Sequence, residues 1–308
     1  MSDPSRRKGV KETNLNDSSL KGIRTLKISL ASLLLTAVFQ VVIVIISGST
    51  ALLADTIHNF ADALTSIPLW IAFAYSRRKP TRSLTYGYGR LEDLAGIIII
   101  IIILFSALFA SNESIRKFIN PSEIKSAGWV MAAAIIGFLG NEVVAHYRIN
   151  TGKEIGSAAL VADGKHSRID GLTSLAVFFA AGGVMIGYPL LDPIAGIIIS
   201  IFIFGIVIET TREIFKRLLD IVDPALIDEI EKTALNVTDV KNVHDVKARW
   251  IGHNIRVDIS IAVDENLYVK VGHGVAVKVH RELLEKIPHL KDVTIHVDPE
   301  SQIGELKH

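Results

Sequence analysis

The stretch GSTALLADTIHNFAD at positions 48–62 returns, without a gap, as GSAALVADGKHSRID at positions 156–170. Both copies carry the pattern D-x-x-H-x-x-x-D: Asp55, His58 and Asp62 in the first, Asp163, His166 and Asp170 in the second. Each lies inside an apolar run long enough to cross a bilayer, whose hydrocarbon core needs roughly 20 such residues per helix. Ionisable groups in hydrocarbon cost several kcal/mol each, so they persist where they pair or line an ion path. Two copies of one ionisable set point to one shared site, and imidazole with carboxylate points to a metal.

His58 and Asp62 are four residues apart, so on a helix they stand one above the other, and His166 and Asp170 repeat that spacing. Two facing helices would complete a four-ligand shell of two nitrogens and two oxygens. Such a tetrahedral shell suits Zn2+, whereas Mg2+ and Ca2+ want more oxygens. At about 1.5 Å per residue both pairs fall near the bilayer midplane. Asp55 and Asp163, one turn before each His, are expected to orient the imidazoles or to add ligands. Asn59, Asn141 and Glu142 are further polar residues within spans, read as cavity lining or as helix packing.

Around these motifs the chain of 308 residues divides in two. From about position 26 to 209, six apolar segments alternate with short polar loops: 26–47, 50–75, 92–118, 127–147, 156–187 and 189–209. Beyond about position 220 charges are dense. The predicted fold is a membrane all-α six-helix bundle followed by a cytoplasmic α+β domain. Its divisions are an N-terminal arm (1–25), a transport domain (26–210), a hinge (211–223) and a regulatory or dimerisation domain (224–308).

Lys and Arg orient the spans. They crowd the N-terminal arm (Arg6, Arg7, Lys8, Lys11, Lys21, Arg24, Lys27), the second-to-third loop (Arg77, Arg78, Lys79, Arg82, Arg90) and the exit of the last span (Arg212, Lys216, Arg217). Both termini are therefore expected in the cytoplasm, with a prokaryotic cell (inner) membrane as the setting. No cleavable signal segment is expected. A net charge of +1 gives no reason to invoke nucleic acid, since topology accounts for the basic residues. With no cysteine, disulfides and thiolate metal sites are excluded. The phosphate loop G-x-x-x-x-G-K-[ST] of nucleotide-driven pumps is absent from the sequence.

With six spans, paired motifs on the second and fifth, and a C-terminal soluble domain, the chain resembles the cation diffusion facilitator family of divalent-metal transporters. Tyr86-Gly87-Tyr88-Gly89-Arg90-x-Glu92 before the third span also resembles that family's F-G-[HY]-G-[KR]-x-E. The resemblance implies a transport site at His58, Asp62, His166 and Asp170, with His at the first position implying zinc preference. It implies no resident cofactor, a homodimer, and an interlock between Arg90 and Asp220 at the hinge between membrane and cytoplasmic domains. Many bacterial members hold a further metal in the second-to-third loop; here Thr81-Arg82-Ser83-Leu84-Thr85 and Tyr88 supply no such ligand set.

The C-terminal region 224–299 reads helix, strand, strand, helix, strand, from an amphipathic helix opened by Pro224, alternation over 243–250 and 254–263, helical spacing over 269–287, and a short strand at 293–297. That αββαβ order resembles the family's metallochaperone-like dimerisation domain. The resemblance places cytoplasmic ligands at Asp258, His273 and His296, with His244 and Asp298 as weaker members; His253, His280, His289 and His308 read as surface or tail residues.

The expected function is a proton-coupled exporter of divalent cations, Zn2+ first, working by alternating access, with the bilayer, protons and a second copy of the chain as partners. Fe2+, Co2+ or Mn2+ transport by the same site is the alternative, as is a metal-sensing scaffold or assembly protein.

Overall fold

The computed structural model describes residues 4–47, 66–119, 127–188 and 190–302. They form two compact units, 1–214 and 215–308.

In the first unit the helices are α1 (Pro4–Ser47), α2 (Ile67–Ser76), α3 (Arg90–Ile119), α4 (Ala127–Ile155), α5 (Ala158–Met185) and α6 (Leu191–Leu218). Four of them (17–46, 90–109, 127–155 and 158–185) contain stretches long and apolar enough to cross a membrane. α2 is the described end of the second span, with Pro68 in its first turn, where a missing N–H costs nothing. The buried core gathers Leu69, Phe73, Ile99, Ile103, Leu160 and Ile169. Ile45, Phe105, Phe109, Val143, Phe179 and Phe202 are large, apolar and exposed. So much exposed apolar surface fits a protein solvated by lipid rather than water.

Three local features shape this unit. α1 runs unbroken from Pro4, so the expected N-terminal arm is one helix with the first span. Lys21 of that arm pairs with Glu154, and Thr25 donates to Thr151 on α4 (3.3 Å). The glycine motif before α3 turns through Gly87 at φ 81°, a left-handed conformation open to glycine at little cost. Finally, α4 and α5 form a tight antiparallel hairpin. A Cβ on Gly164 would lie 2.8 Å from the Ile149 side chain and 2.9 Å from its backbone nitrogen, so any larger residue would push the helices apart.

The second unit begins in the last turn of α6 and continues through α7 (Pro224–Leu235), β1 (Asn242–Ile251), β2 (Asn254–Val263), α8 (Val269–Lys286) and β3 (Leu290–Pro299), with a 3-10 turn at Glu300–Gln302. This is the αββαβ order read from the sequence. Asp223 caps α7 by accepting from the Ala225 N–H (3.0 Å). β1 and β2 are antiparallel, β2 and β3 parallel, with β2 central. A parallel pair needs a crossover, which α8 supplies. Val275, Val279 and Leu283, four residues apart, bury one face of α8 with Ile259, Ile261 and Ile230. The two-residue β1–β2 turn starts at Gly252 (φ 61°), as a hairpin turn of right-handed twist requires.

At that turn the Arg217 guanidinium lies 4.2 Å from the centre of the Trp250 ring, and its Nη1 donates to the Gly252 carbonyl (3.1 Å). Trp250 also meets the His289 ring at 5.9 Å. Burial, then the nearby His253 and Arg217, push the His289 imidazole below its ordinary value. An imidazole whose folded pKa is depressed binds its proton more readily in the unfolded chain. Stability of residues 215–308 should therefore fall as pH drops below about 6.5, the ordinary imidazole value, and level off below the folded value. Melting temperatures between pH 7.5 and 5 would show this slope reduced in His289→Gln; equal slopes in the two proteins would refute it.

Candidate metal centre

α5 carries the second copy of the repeated motif, started by Ser157, whose hydroxyl accepts the Leu160 N–H (3.1 Å). On this helix the His166 Nδ1 lies 3.7 Å from the Asp170 Oδ1, with the His166 side chain buried and that of Asp170 9% exposed. The four-residue spacing thus brings imidazole and carboxylate together on one face of α5. Asp55, His58, Asn59 and Asp62, the first copy and its neighbour, lie outside the described residues.

Asp163, expected to orient the His166 imidazole or to add a ligand, has its Oδ2 held by Arg148 Nη1 (3.0 Å) and by the Ser66 hydroxyl (3.3 Å). The same Arg148 nitrogen donates to Ser167 Oγ (3.0 Å), and Arg148 and Asp163 are 1% and 0% exposed. The reason is that α4 runs to Ile155 rather than stopping near position 147, which carries Arg148 into the bundle. A second cross-helix pair joins Glu142 on α4 to Arg168 on α5 through two contacts of 2.7 and 3.2 Å, a fork that fits a carboxylate at both oxygens. Asn141 is buried and donates to the Gly137 carbonyl of its own helix (3.2 Å), and its Cβ abuts Gly171. It packs the hairpin next to Asp170.

Arg148 and Arg168 were not among the residues singled out from the sequence. The available signal was that the two pairs have nearly the same sum of residue numbers, as partners across one antiparallel hairpin must. At the start of α3, Arg90 places Nη1 3.3 Å from Asp93, in the first turn of its own helix. Asp220 lies in the other unit at φ 56°, after the end of α6, where the Ile221 N–H reaches back to the Lys216 carbonyl (2.8 Å). That is a left-handed helix cap of the kind usually given to Gly or Asn.

In the C-terminal unit the sheet places His244, Asp258 and His296 on one face. His244 opposes Ser260, and Ser260 opposes His296, so the two histidines occupy one row across three strands. A bulge between His244 and Lys247, with Asp245 at φ 50°, sets the direction of His244. Asp298 joins them: its Oδ2 is 3.0 Å from His244 Nε2 and its Oδ1 is 2.9 Å from His296 Nε2. Asp258 instead faces Arg249 at 3.7 Å, and His273 is exposed on α8, in the helical layer across the sheet. Within one copy, His244, Asp298 and His296 therefore stand together as a His–Asp–His bridge, and Asp258 and His273 are not part of it. Among the described residues, no three His, Asp or Glu form a ready-made metal cage.

The cation efflux transmembrane domain matches residues 26–219, and the cytoplasmic domain of cation efflux proteins matches 222–300. A "Probable cation efflux system protein" of Mycobacterium tuberculosis is 50% identical over 283 residues, covering 92% of this chain and 85% of that one. Magnetosome protein MamB of Magnetospira sp. is 28% identical over 262 residues (85% and 89% covered), and the manganese efflux system protein MneP of Bacillus subtilis 29% over 263 (83% and 88%). With both domains matched in order along nearly the whole length, the chain belongs to the cation diffusion facilitator family of divalent-metal transporters.

Proposed function

We propose that this transporter exports Zn2+ from the cytoplasm in exchange for protons, binding the ion between His58, Asp62, His166 and Asp170. The observation that carries the reading is the His166–Asp170 pair, one turn apart on α5, whose spacing the sequence repeats at His58 and Asp62. Imidazoles must be neutral and carboxylates ionised to hold a metal, so binding releases protons and metal release favours their return. A site that opens to each side in turn couples an inward proton gradient to export. Both termini face the cytoplasm in this reading, and two copies associate through the C-terminal domain. There His244, His296 and Asp298 take up cytoplasmic metal by exchanging their mutual hydrogen bonds for ligation, with Asp258 and His273 available to a shared site between two copies.

A second reading, Mn2+ as the cargo, is favoured by the relative named as a manganese efflux protein. Competition among Zn2+, Mn2+, Fe2+ and Co2+ for uptake into vesicles made with purified protein separates the two. Zn2+ should win, and His58→Asp should broaden uptake toward Mn2+, because carboxylate tolerates harder ions of higher coordination. A wild-type preference for Mn2+ would overturn the zinc reading.

The interlock of Arg90 with Asp220 belongs to the same proposal. Arg90→Asp should impair transport, and adding Asp220→Arg should restore part of it. A double variant no better than the worse single one would refute the interlock.

A further inference from the structure

We propose that Arg148 decides which cations this transporter accepts, by withholding the Asp163 carboxylate from the metal path. The inference rests on the assignment of His166 and Asp170 as ligands of the transported ion.

Asp163, His166 and Asp170 follow one another at three and then four residues on α5, which puts all three on one stripe of the helix. By spacing alone Asp163 is as good a ligand as Asp170. What sets it apart is its surroundings. Arg148 Nη1 and the Ser66 hydroxyl both bind its Oδ2, and that same Arg148 nitrogen also binds Ser167, the residue directly after His166. The carboxylate is thus neutralised and tied to α4, one turn from an imidazole that ligates.

As a device for stability the pair is poorly built. Arg148 Nε, Arg148 Nη2 and Asp163 Oδ1 are buried without a hydrogen-bond partner among the described residues. Taking both charges out of water is costly, and apolar residues of similar volume often do as well. An apolar pair could not keep a carboxylate beside the metal path while denying it to the metal. Two imidazoles and two carboxylates make a four-coordinate shell that suits Zn2+. One more carboxylate would raise the oxygen count and the coordination number, which harder ions such as Mn2+ prefer. Arg148 therefore acts as a positioning residue that keeps the shell small.

The test uses the full-length protein in vesicles, with kcat/KM for Zn2+ and Mn2+ uptake measured in each variant. In Arg148→Gln the Mn2+ to Zn2+ ratio should rise about tenfold, the usual scale for groups that tune a metal shell from outside it. In Arg148→Gln/Asp163→Asn, which removes the freed carboxylate, the ratio should return to the wild-type value. An unchanged ratio in the single variant overturns the proposal, and so does a rise that persists in the double variant. Should Arg148→Gln fail to fold, Arg148→Lys takes its place: a point charge on a flexible stem holds Asp163 less firmly, so a smaller rise that needs Asp163 is expected. No rise there overturns the proposal equally. His166→Ala separates the two layers of the argument. If it transports normally, the ligand assignment falls and this inference with it; if it is inactive while Arg148→Gln keeps the wild-type ratio, only the inference falls.

Discussion

Replacing Arg148 by alanine is expected to destabilise the membrane unit by about 3–5 kcal/mol, the usual cost of leaving one partner of a buried ion pair uncompensated. Asp163 would be left fully buried, with only the Ser66 hydroxyl on its Oδ2 among the described residues. The partner change matters as much as the single one. Arg148→Met/Asp163→Leu removes both charges at similar volume, and by the same principle should stay within about 1–2 kcal/mol of wild type. Thermal or denaturant unfolding of the detergent-solubilised protein checks both. A loss below about 1 kcal/mol in Arg148→Ala would mean that the pair behaves as a solvated surface bridge, contrary to its burial.

The largest functional effect is expected at Asp170. Asp170→Ala removes the carboxylate that sits 3.7 Å from His166 Nδ1 and one of the ligands of the proposed shell. Uptake should fall by about 100-fold or more, since even groups that only support a ligand are worth about 10–100-fold in metal affinity or activity. Elution of the solubilised protein at the wild-type position would show that assembly survives. Asp170→Ala with more than about a third of wild-type uptake would remove Asp170 from the site, because no first ligand is worth so little.

Much of the fold is legible in the sequence, for physical reasons that differ by region. Bilayer thickness forces long apolar runs, so α3 appears at Arg90–Ile119 where 92–118 was expected, and α5 at Ala158–Met185 within the expected 156–187. The C-terminal αββαβ order followed from a change of hydrophobic period, from the helical spacing of α8 to the alternation of β2. What the sequence concealed was contact between elements. Arg148 lay just past the expected end of its span at position 147, and nothing local indicates that a basic residue there turns inward to Asp163. Only the antiparallel closure of α4 on α5 shows it. In the sheet, spacing along the chain could not tell that His244 and His296 share a row while Asp258 turns to Arg249. That depends on a bulge and on a parallel β2–β3 register, neither of which has a strong sequence signature. The proposed half-site at His58 and Asp62 rests on the repeat in the sequence.

The most direct test of the central claim is the initial rate of Zn2+ entry into sealed vesicles bearing purified protein, with and without an opposing proton gradient. Saturable entry that the gradient accelerates and that His166→Ala abolishes is the expected result. Entry no faster than into protein-free vesicles, or entry that survives His166→Ala, would contradict it.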